Sequence, residues 1–474
     1  MHDLSHWHQR WPSRRQMLLG AGMGIGWMAM ADMLHASTQP RAAGNTDPLA
    51  PKPPHFRPRA KRLIFIFLHG GPSQVDTFDH KPLLQRDHGK PLPFPKPRVT
   101  FAETGNLMGS PFKWQQHGAC GAWVSELFPS IARHVDDMCI LKGLHGSNDA
   151  HGGALLKIHT GSDTFVRPSI GSWVTYGLGT ENRDLPGFVT ICPTLGHGGV
   201  NNWSSAFLPP VYQGTPLGNA SVPAKQAGIQ HLANARMDRA TQRNALDFVQ
   251  QLNRQHLARS EGDDVLDARI QSLELAYRMQ MTAPEVLDIA NESEATRKLY
   301  GIDDPVTENF GRQCLMARRL SEAGVRFVQV THSYKWDQHG NLEADHRKNA
   351  REVDLPIAGL LADLKARGML EDTLVWWGGE FGRTPTSEGG NGRDHNPHGF
   401  THWLAGGGVR AGTSHGETDD YGYYAVRDTM HVHDLHATIL HLLGLDHERL
   451  TWRHAGRDFR LTDVHGRVAH QVLA

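Results

Sequence analysis

Short apolar runs alternate with longer segments of helical period along most of the chain. The runs are rich in β-branched and aromatic residues and end at glycine or polar residues, which is typical of buried strands. The predicted strands cover residues 63–71, 138–144, 187–192, 325–331, 373–378 and 401–405. The predicted helices cover residues 124–134, 308–322 and 351–367. This alternation predicts a mostly parallel sheet with helices on both faces.

Residues 225–300 interrupt the alternation. They are polar, rich in Gln and Arg, and helical in pattern, with no predicted strand. We interpret them as a helical insertion that lies over the edge of the sheet or over its active-site end. The preceding residues 196–223 are rich in Gly, Asn and Pro and are expected to form a lid or binding loop. The main domain is expected to span residues 61–470.

The amino terminus carries an export signal. Residues 13–19 read SRRQMLL, a twin-arginine motif, and a weakly apolar stretch follows. We expect residues 1–36 to be a signal peptide and residues 37–60 a linker, which predicts a periplasmic or secreted protein without a stable membrane span after signal removal. Export would allow disulfides among the four cysteines, although any of the three pairings or four free thiols fits the sequence.

The charge balance limits the choice of partners. The 474 residues include 49 basic and 49 acidic side chains, so the formal net charge is zero. A nucleic-acid or anionic-membrane partner is therefore not expected. The sequence leaves the oligomeric state open.

Polar residues that bind metals follow two of the predicted strands. Asp337 and His339 come shortly after the strand at 325–331, and both suit zinc or manganese. His395, before the strand at 401–405, is the third candidate ligand, with His398 and His402 in reserve. Because the carboxyl ends of parallel strands meet at one edge of a sheet, a shared metal site is expected there.

Glu380 and Arg383 follow the strand at 373–378. Glu380 is a candidate metal ligand, and Arg383 is a candidate for stabilising the charge of a phosphate or sulfate group. The alternative is a Glu–Arg ion pair that only holds the loop in place.

Two further clusters are weaker candidates. Asp76, or Asp79, after the strand at 63–71 could offer a carboxylate to a metal, although an Asp in a tight turn more often caps it. Ser147 is a candidate nucleophile and His151 a candidate ligand or base. The GxSxG motif is absent, so the nucleophile elbow of α/β hydrolases is not supported.

These residues together resemble a bacterial family known as domain of unknown function 1501, which is placed in the alkaline phosphatase and sulfatase superfamily. The motifs that carry the resemblance are LIFIFLHGGPSQVDTFDHKP, WDQHGN, DTLVWWGGEFGRTP, GRDHNPHG, AGGGVRAG and HDLHATILHLLGLD. The resemblance implies an alkaline-phosphatase-like α/β/α sandwich that cleaves phosphate or sulfate esters with bound divalent metal. By position, Asp337, His339 and His395 would be metal ligands, and Glu380 would replace the Asp of an Asp-His pair.

The chain departs from the superfamily pattern at several positions. Phe381 stands where a histidine ligand is usual, and His69-Gly70-Gly71 replaces the usual Asp after the first strand. Asp337 and His339 are closer in sequence than is usual, and no C-x-P-x-R motif for a sulfatase nucleophile is present. These departures leave room for one metal or none.

The leading hypothesis is therefore an exported hydrolase of phosphate or sulfate esters, acting on a small-molecule or glycan substrate with zinc, or alternatively manganese or calcium. Asp337, His339, Glu380 and His395 would hold the metal, with Asp76 as a further carboxylate, Arg383 as the charge-stabilising group and Ser147 or a water as nucleophile. The alternative is a non-catalytic periplasmic binding or scaffold protein on a degenerate fold. Convergence of the four ligands on one point within about 2.0–2.3 Å distinguishes the two.

Overall fold

Nine strands form one central sheet in the computed structural model, which describes residues 47–95, 104–229, 232, 236–257 and 264–474. The strands along the chain are β1 (Arg62–Leu68), β2 (Trp114–His117), β3 (Ala122–Ser125), β4 (Met138–His145), β5 (Phe188–Ile191), β6 (Thr215–Leu217), β7 (Phe327–His332), β8 (Thr373–Gly378), β9 (Gly382–Arg383), β10 (His395–Asn396), β11 (Phe400–Ala405), β12 (Thr413–His415), β13 (Glu417–Thr418), β14 (Ala425–Arg427), β15 (Met430–His431), β16 (Trp452–His454) and β17 (Arg457–Phe459).

The central sheet has the order β12-β4-β11-β8-β1-β7-β5-β6, with β15 also paired to β4. β1 lies in the middle and runs parallel to both neighbours, with Leu63 opposite Phe327 and Leu374. Within this sheet, β11 alone runs antiparallel to its neighbours β4 and β8. The other strands pair in twos outside this sheet.

Helices cover both faces of the sheet. They are α1 (Gln74–Thr77), α2 (Pro82–Arg86), α3 (His151–Thr160), α4 (Ile170–Leu178), α5 (Arg239–Leu257), α6 (Asp264–Leu287), α7 (Glu294–Leu299), α8 (Glu308–Glu322), α9 (Leu342–Ala366) and α10 (Val432–Leu442). Short 3-10 helices occupy Ile131–Asp137, Gly199–Trp203, Pro210–Tyr212, Ala224–Gln226 and His470–Val472.

The side chains of β1 alternate between two buried cores. Ile64 and Ile66 pack with α8 and α9 on one face. Phe65 and Phe67 pack with α3, α4 and α10 on the other. Each such fully buried side chain stabilises the fold by roughly 1.5–3 kcal/mol. The expected α/β fold, with a mostly parallel sheet between helical layers, is confirmed.

The helical insertion contains α5, α6 and α7 within residues 225–300. Leu275 and Met279 of α6 join one core and Ala283 joins the other. The insertion is therefore anchored to both helical layers. No helix in the described part of the chain is long and apolar enough to cross a membrane.

The helix predicted at 124–134 is wrong. Residues 122–125 form β3 and pair with β2, and a 3-10 helix begins only at Ile131. Pro129 explains the difference, because proline disfavours the helical conformation of the residue before it and donates no backbone hydrogen bond. The apolar spacing of this segment reflects burial of Val124, Phe128 and Ile131.

The structure describes only part of the segment that precedes the main domain. The predicted signal peptide lies outside the described residues. Within the expected linker, residues 47–60 pack on the domain: Leu49 is only 3% exposed, and the backbone N–H of Lys52 donates to the carbonyl of Leu178.

The four cysteines are free thiols, of which Cys120 is exposed and the other three are buried.

Candidate metal centre

Four side chains meet at the edge of the sheet where the parallel strands end. Asp337 and His339 lie on the loop after β7, and His395 begins the short strand β10. The fourth, His151, is the first residue of α3, which follows β4. Loops that follow neighbouring strands of a parallel sheet face one crevice, and this places the four together.

The four ligand atoms have the spacing of a coordination shell. Asp337 Oδ1 lies 2.9 Å from His339 Nε2, 3.1 Å from His395 Nε2 and 3.2 Å from His151 Nε2. His339 Nε2 and His395 Nε2 are 3.0 Å apart. Ligand atoms about 2.0–2.2 Å from one ion are separated by roughly 3.0–3.5 Å. The cluster therefore fits a zinc-like divalent cation.

The histidine nitrogens support the same fit. His151 Nε2 is buried and lies 3.2 Å from Asp337 Oδ1, the oxygen that Nε2 of His339 and of His395 also approach. Two imidazole nitrogens 3.0 Å apart repel each other unless a proton or a cation lies between their lone pairs. A metal ion would satisfy these nitrogens together.

Each ligand histidine is oriented through its other ring nitrogen. His151 Nδ1 donates to Glu380 Oε1 at 2.7 Å, and His339 Nδ1 donates to Glu388 Oε2 at 2.5 Å. His395 Nδ1 donates to the carbonyl oxygen of Asp149 at 2.6 Å. Nε2 of each ring then lies beside Asp337 Oδ1, which is the usual outer-shell arrangement of metal-binding histidines.

Glu380 is therefore placed behind the cluster. Its carboxylate is fully buried, accepts from the backbone N–H of Gly70 at 3.0 and 3.1 Å, and accepts from His151. It does not share the point on which Asp337, His339 and His395 converge. The expected four-residue convergence fails at Glu380, and His151 takes its place. Glu380 thus contacts the cluster through the ring of His151.

The charges of the cluster are strongly coupled. Burial alone would raise the pKa of Asp337, but hydrogen bonds from His151, His339 and His395 outweigh burial and hold that pKa far below its usual range. The hydrogen bond to Asp337 raises the pKa of His339 to about 9. A metal competes with these protons, because only neutral imidazole binds a cation. Metal binding at this site is thus linked to proton release.

Arg383 holds Asp337 from inside the protein. Its guanidinium is fully buried and lies 2.6 Å from Asp337 Oδ1. It also donates to the carbonyl oxygens of Gly70, Gly71, Trp336 and Arg393. The expected contact with the charge of a substrate is not available to a guanidinium in this environment. Arg383 instead fixes the loop that carries Asp337.

Asp76 and Ser147 lie outside the cluster. Asp76 is buried and pairs with Arg393 at 2.7 Å, and it also accepts from the hydroxyl of Ser73. A carboxylate committed to an arginine in this way is not available to the metal centre. Ser147 donates to Asp163 Oδ2 at 2.9 Å and lines a different cavity. The structure does not bring either residue to the four ligands.

A second group of histidines adjoins the cluster. His69, at the end of β1, and His197, from the loop at 196–223, have ring nitrogens 3.4 Å apart and form a three-histidine group with His151. Burial lowers the pKa of His69 to about 4, so its ring is neutral at pH 7. Tyr334, 44% exposed, packs against His69 and donates to Asp337 Oδ2 at 2.5 Å.

Phe381 closes one side of the site. Its ring stacks on His395 at 4.5 Å and contacts His151 at 4.9 Å. Gly71, at φ 82°, lies directly against this ring, and a Cβ there would come within 2.7 Å of it. Phe381 thus covers one side of two of the four ligand rings.

Sequence comparison places the chain in a family. The model of the family described as "Protein of unknown function (DUF1501)" matches residues 60–473, nearly the whole described domain. The family predicted from the motifs is thus confirmed. None of the curated proteins matches the chain.

Several solved structures resemble the chain weakly. The lipoteichoic acid synthase LtaP from Listeria monocytogenes has a TM-score of 0.36 and 10% identity, with 88% of this chain and 78% of that chain covered. Alkaline phosphatase from the Antarctic bacterium TAB5 has a TM-score of 0.34 and 10% identity, with 81% and 98% covered. The PsFucS1 sulfatase from Pseudoalteromonas sp. has a TM-score of 0.33 and 13% identity, with 82% and 68% covered. Similarity at this level carries no argument about activity.

Proposed function

Because the chain belongs to the family described as "Protein of unknown function (DUF1501)", which names no activity, we propose a function from the site itself: an exported, metal-dependent hydrolase of phosphate or sulfate esters. The observation that carries the proposal is the convergence of Asp337 Oδ1 with the Nε2 atoms of His151, His339 and His395. A carboxylate and three imidazoles, each held by an outer partner, make up a metal-binding set.

Zinc is the metal we propose. Three nitrogen ligands and one oxygen suit zinc, and manganese is the second choice. Calcium prefers a shell made of oxygen atoms, so the three imidazoles disfavour it. When bound, the cation would polarise the ester and lower the pKa of an attacking water.

The protein's own residues would orient and shield this chemistry. Glu380 fixes the ring of His151, and Arg383 balances the charge of Asp337 from behind. Phe381 excludes water from one side, whereas Tyr334 and the exposed His197 lie where a substrate would enter. Because Ser147 hydrogen-bonds elsewhere, we assign the attack to water rather than to a serine.

The proposed substrate is a small-molecule or glycan ester met outside the cytoplasm. The twin-arginine motif at residues 13–19 supports export, and that pathway carries folded proteins. Replacing Arg14 and Arg15 together by lysine should retain the protein in the cytoplasm. Export of the double variant at the wild-type rate would contradict export through the twin-arginine motif.

The test of hydrolysis is an activity measurement on zinc- and manganese-loaded protein. We expect turnover of p-nitrophenyl phosphate, of bis-p-nitrophenyl phosphate or of p-nitrophenyl sulfate. Asp337→Asn should abolish this activity, because it replaces the charged carboxylate whose Oδ1 lies beside all three histidines by a neutral amide, a much weaker metal ligand. Ser147→Ala is the matched control and should retain it. Activity that survives Asp337→Asn, or that is lost in Ser147→Ala, would contradict the assignment.

A second candidate is a non-catalytic binding or scaffold protein on the same fold. Phe381 favours it, because an apolar ring occupies a position where the superfamily usually has a ligand. This candidate predicts a folded protein that binds metal, or no metal, and turns over none of the three esters.

A further inference from the structure

A cavity of about 600 Å³ lies beside the start of α10. Its lining comes from the loop after β4, from α3, from the first turn of α10 and from residues 464–467. None of the four metal-centre ligands lines it. Its volume is in the range of small-molecule sites, about 300–1,000 Å³.

Two cationic side chains point to an anionic ligand. Lys157 of α3 is half-buried, and the exposed Arg467, distant in sequence, lines the same cavity. Neither side chain makes a hydrogen bond or an ion pair with any described residue. The nearby carboxylates are already engaged. Asp434, which itself lines the cavity, accepts from the backbone N–H groups of His431 and Arg467. Asp163 accepts from Ser147, and Asp463 pairs with Arg167 at 3.0 Å. An anion in the cavity would find both cations available.

His433, a buried histidine that lines the cavity, has a ring nitrogen that needs a hydrogen-bond donor. His433 is only 2% exposed, and its Nε2–H donates to the carbonyl oxygen of Gly161 at 2.7 Å. Its Nδ1 therefore carries a lone pair, and this buried atom has no partner among the described residues. Burial lowers the pKa of His433 to about 4, so the ring stays neutral at pH 7. A ligand that satisfies this atom must donate a hydrogen, as a hydroxyl does.

The neighbouring histidine is a donor. His431 Nδ1 accepts from the backbone N–H of His433 at 3.2 Å, and burial lowers the pKa of His431 to about 3. The neutral ring therefore carries its hydrogen on Nε2. The cavity thus combines two cations, a donor and a buried acceptor.

We propose that this cavity binds an acidic saccharide unit, a sugar that carries a carboxylate, sulfate or phosphate group. The anionic group would lie between Lys157 and Arg467, and a sugar hydroxyl would donate to His433 Nδ1. A simple inorganic anion shares the charge but lacks the hydroxyls. The proposal is independent of the metal centre and of ester hydrolysis.

The experiment is a calorimetric titration of the full protein with D-glucuronate, glucose and inorganic sulfate. Glucuronate contains no ester, so the result does not depend on the proposed activity. We expect glucuronate to bind at least about tenfold more tightly than either glucose or sulfate, because neither of these supplies both groups. No measurable binding of glucuronate, or equal binding of sulfate, would overturn the proposal.

Three variants locate the binding. Lys157→Met and Arg467→Gln should each weaken glucuronate binding about tenfold or more, and Arg467→Gln keeps the backbone N–H that donates to Asp434. Lys348→Met, on an exposed position of α9, is the control and should bind as the wild type does. Asp337→Ala should also leave binding unchanged. Loss of binding in Asp337→Ala, with Lys157→Met unaffected, would place the ligand at the metal centre and refute the proposal.

Discussion

Replacing Glu380 by glutamine tests how the metal centre is held. The substitution keeps the shape of the side chain but turns one acceptor oxygen into an NH₂ group. Glu380 now accepts both from Gly70 N–H and from His151 Nδ1–H. Both donors share Oε1, and the N–H of Gly70 also lies 3.1 Å from Oε2, so the NH₂ group of glutamine faces a donor in either orientation. In both orientations the negative charge that holds the Nδ1 proton of His151 is lost.

The expected cost follows from burial. Loss of an outer-shell partner of a metal-binding histidine typically weakens metal affinity 10- to 100-fold, or about 1.4–2.7 kcal/mol. The Glu380 carboxylate is fully buried, so water cannot compensate for the lost negative charge. We therefore expect an effect near the upper end, close to 100-fold, with the fold retained.

The assay is a competition titration of zinc against a chelator of known affinity. Glu352→Gln is the matched control, because Glu352 also contacts a histidine ring, His332 Nε2 at 3.0 Å, outside the cluster. The control should bind zinc as the wild type does. Unchanged zinc affinity in Glu380→Gln, or an equal loss in both variants, would refute the assignment of Glu380 as the positioning residue of His151.

Two further predictions concern stability. Burial lowers the pKa of His159 to about 4 and the pKa values of His402 and His436 to about 3, all below their usual value of 6.5. Because the unfolded chain binds more protons between these values, the contribution of these three rings to the free energy of unfolding should be constant above pH 6.5 and fall below it, by up to about 1.4 kcal/mol per pH unit for each ring; urea denaturation that shows equal stability at pH 7 and pH 5 would contradict this. Asp76→Asn leaves Arg393 without its buried partner and should destabilise the fold by about 3–5 kcal/mol in the same assay, while the remaining folded protein binds zinc normally. Loss of zinc from the folded Asp76→Asn variant would indicate that Asp76 belongs to the metal centre.

The sequence predicted the central strands well because their signal is local. β1, β7, β8 and β11 are each almost wholly buried, so the apolar pattern marks their ends to within three residues. The edge strands β12 and β15 are only three and two residues long, and their pairing with β4 depends on distant chain. Such short segments carry no periodicity of their own.

The candidate site was predictable in position but not in its ligand set. Asp337, His339 and His395 could be chosen because each adjoins a strand and is a good ligand. Choosing between Glu380 and His151 required the distance between the loops after β8 and β4, which β11 separates in the sheet. His151 gave a signal, as a histidine in a polar cluster after a strand, but the sequence did not rank it above Glu380.

The roles of two charged residues depended on burial. Arg383 and Asp76 look like substrate and metal contacts in the sequence, yet their partners include Gly70 and Arg393, more than 300 residues away. A buried charged side chain pairs with the polar groups packed around it, so it is not available to a substrate or a metal ion. Sequence reasoning cannot separate that case from an exposed catalytic residue.

Metal analysis of the purified, folded protein tests the account most directly. Wild-type protein equilibrated with zinc and then dialysed should retain close to one ion per chain at the four-ligand cluster. The Asp337→Ala/His395→Ala double variant should retain none at that site while keeping the circular dichroism spectrum of the wild type. Folded wild-type protein that retains no zinc or manganese, or a folded double variant that retains as much as the wild type, would contradict the metal centre proposed here.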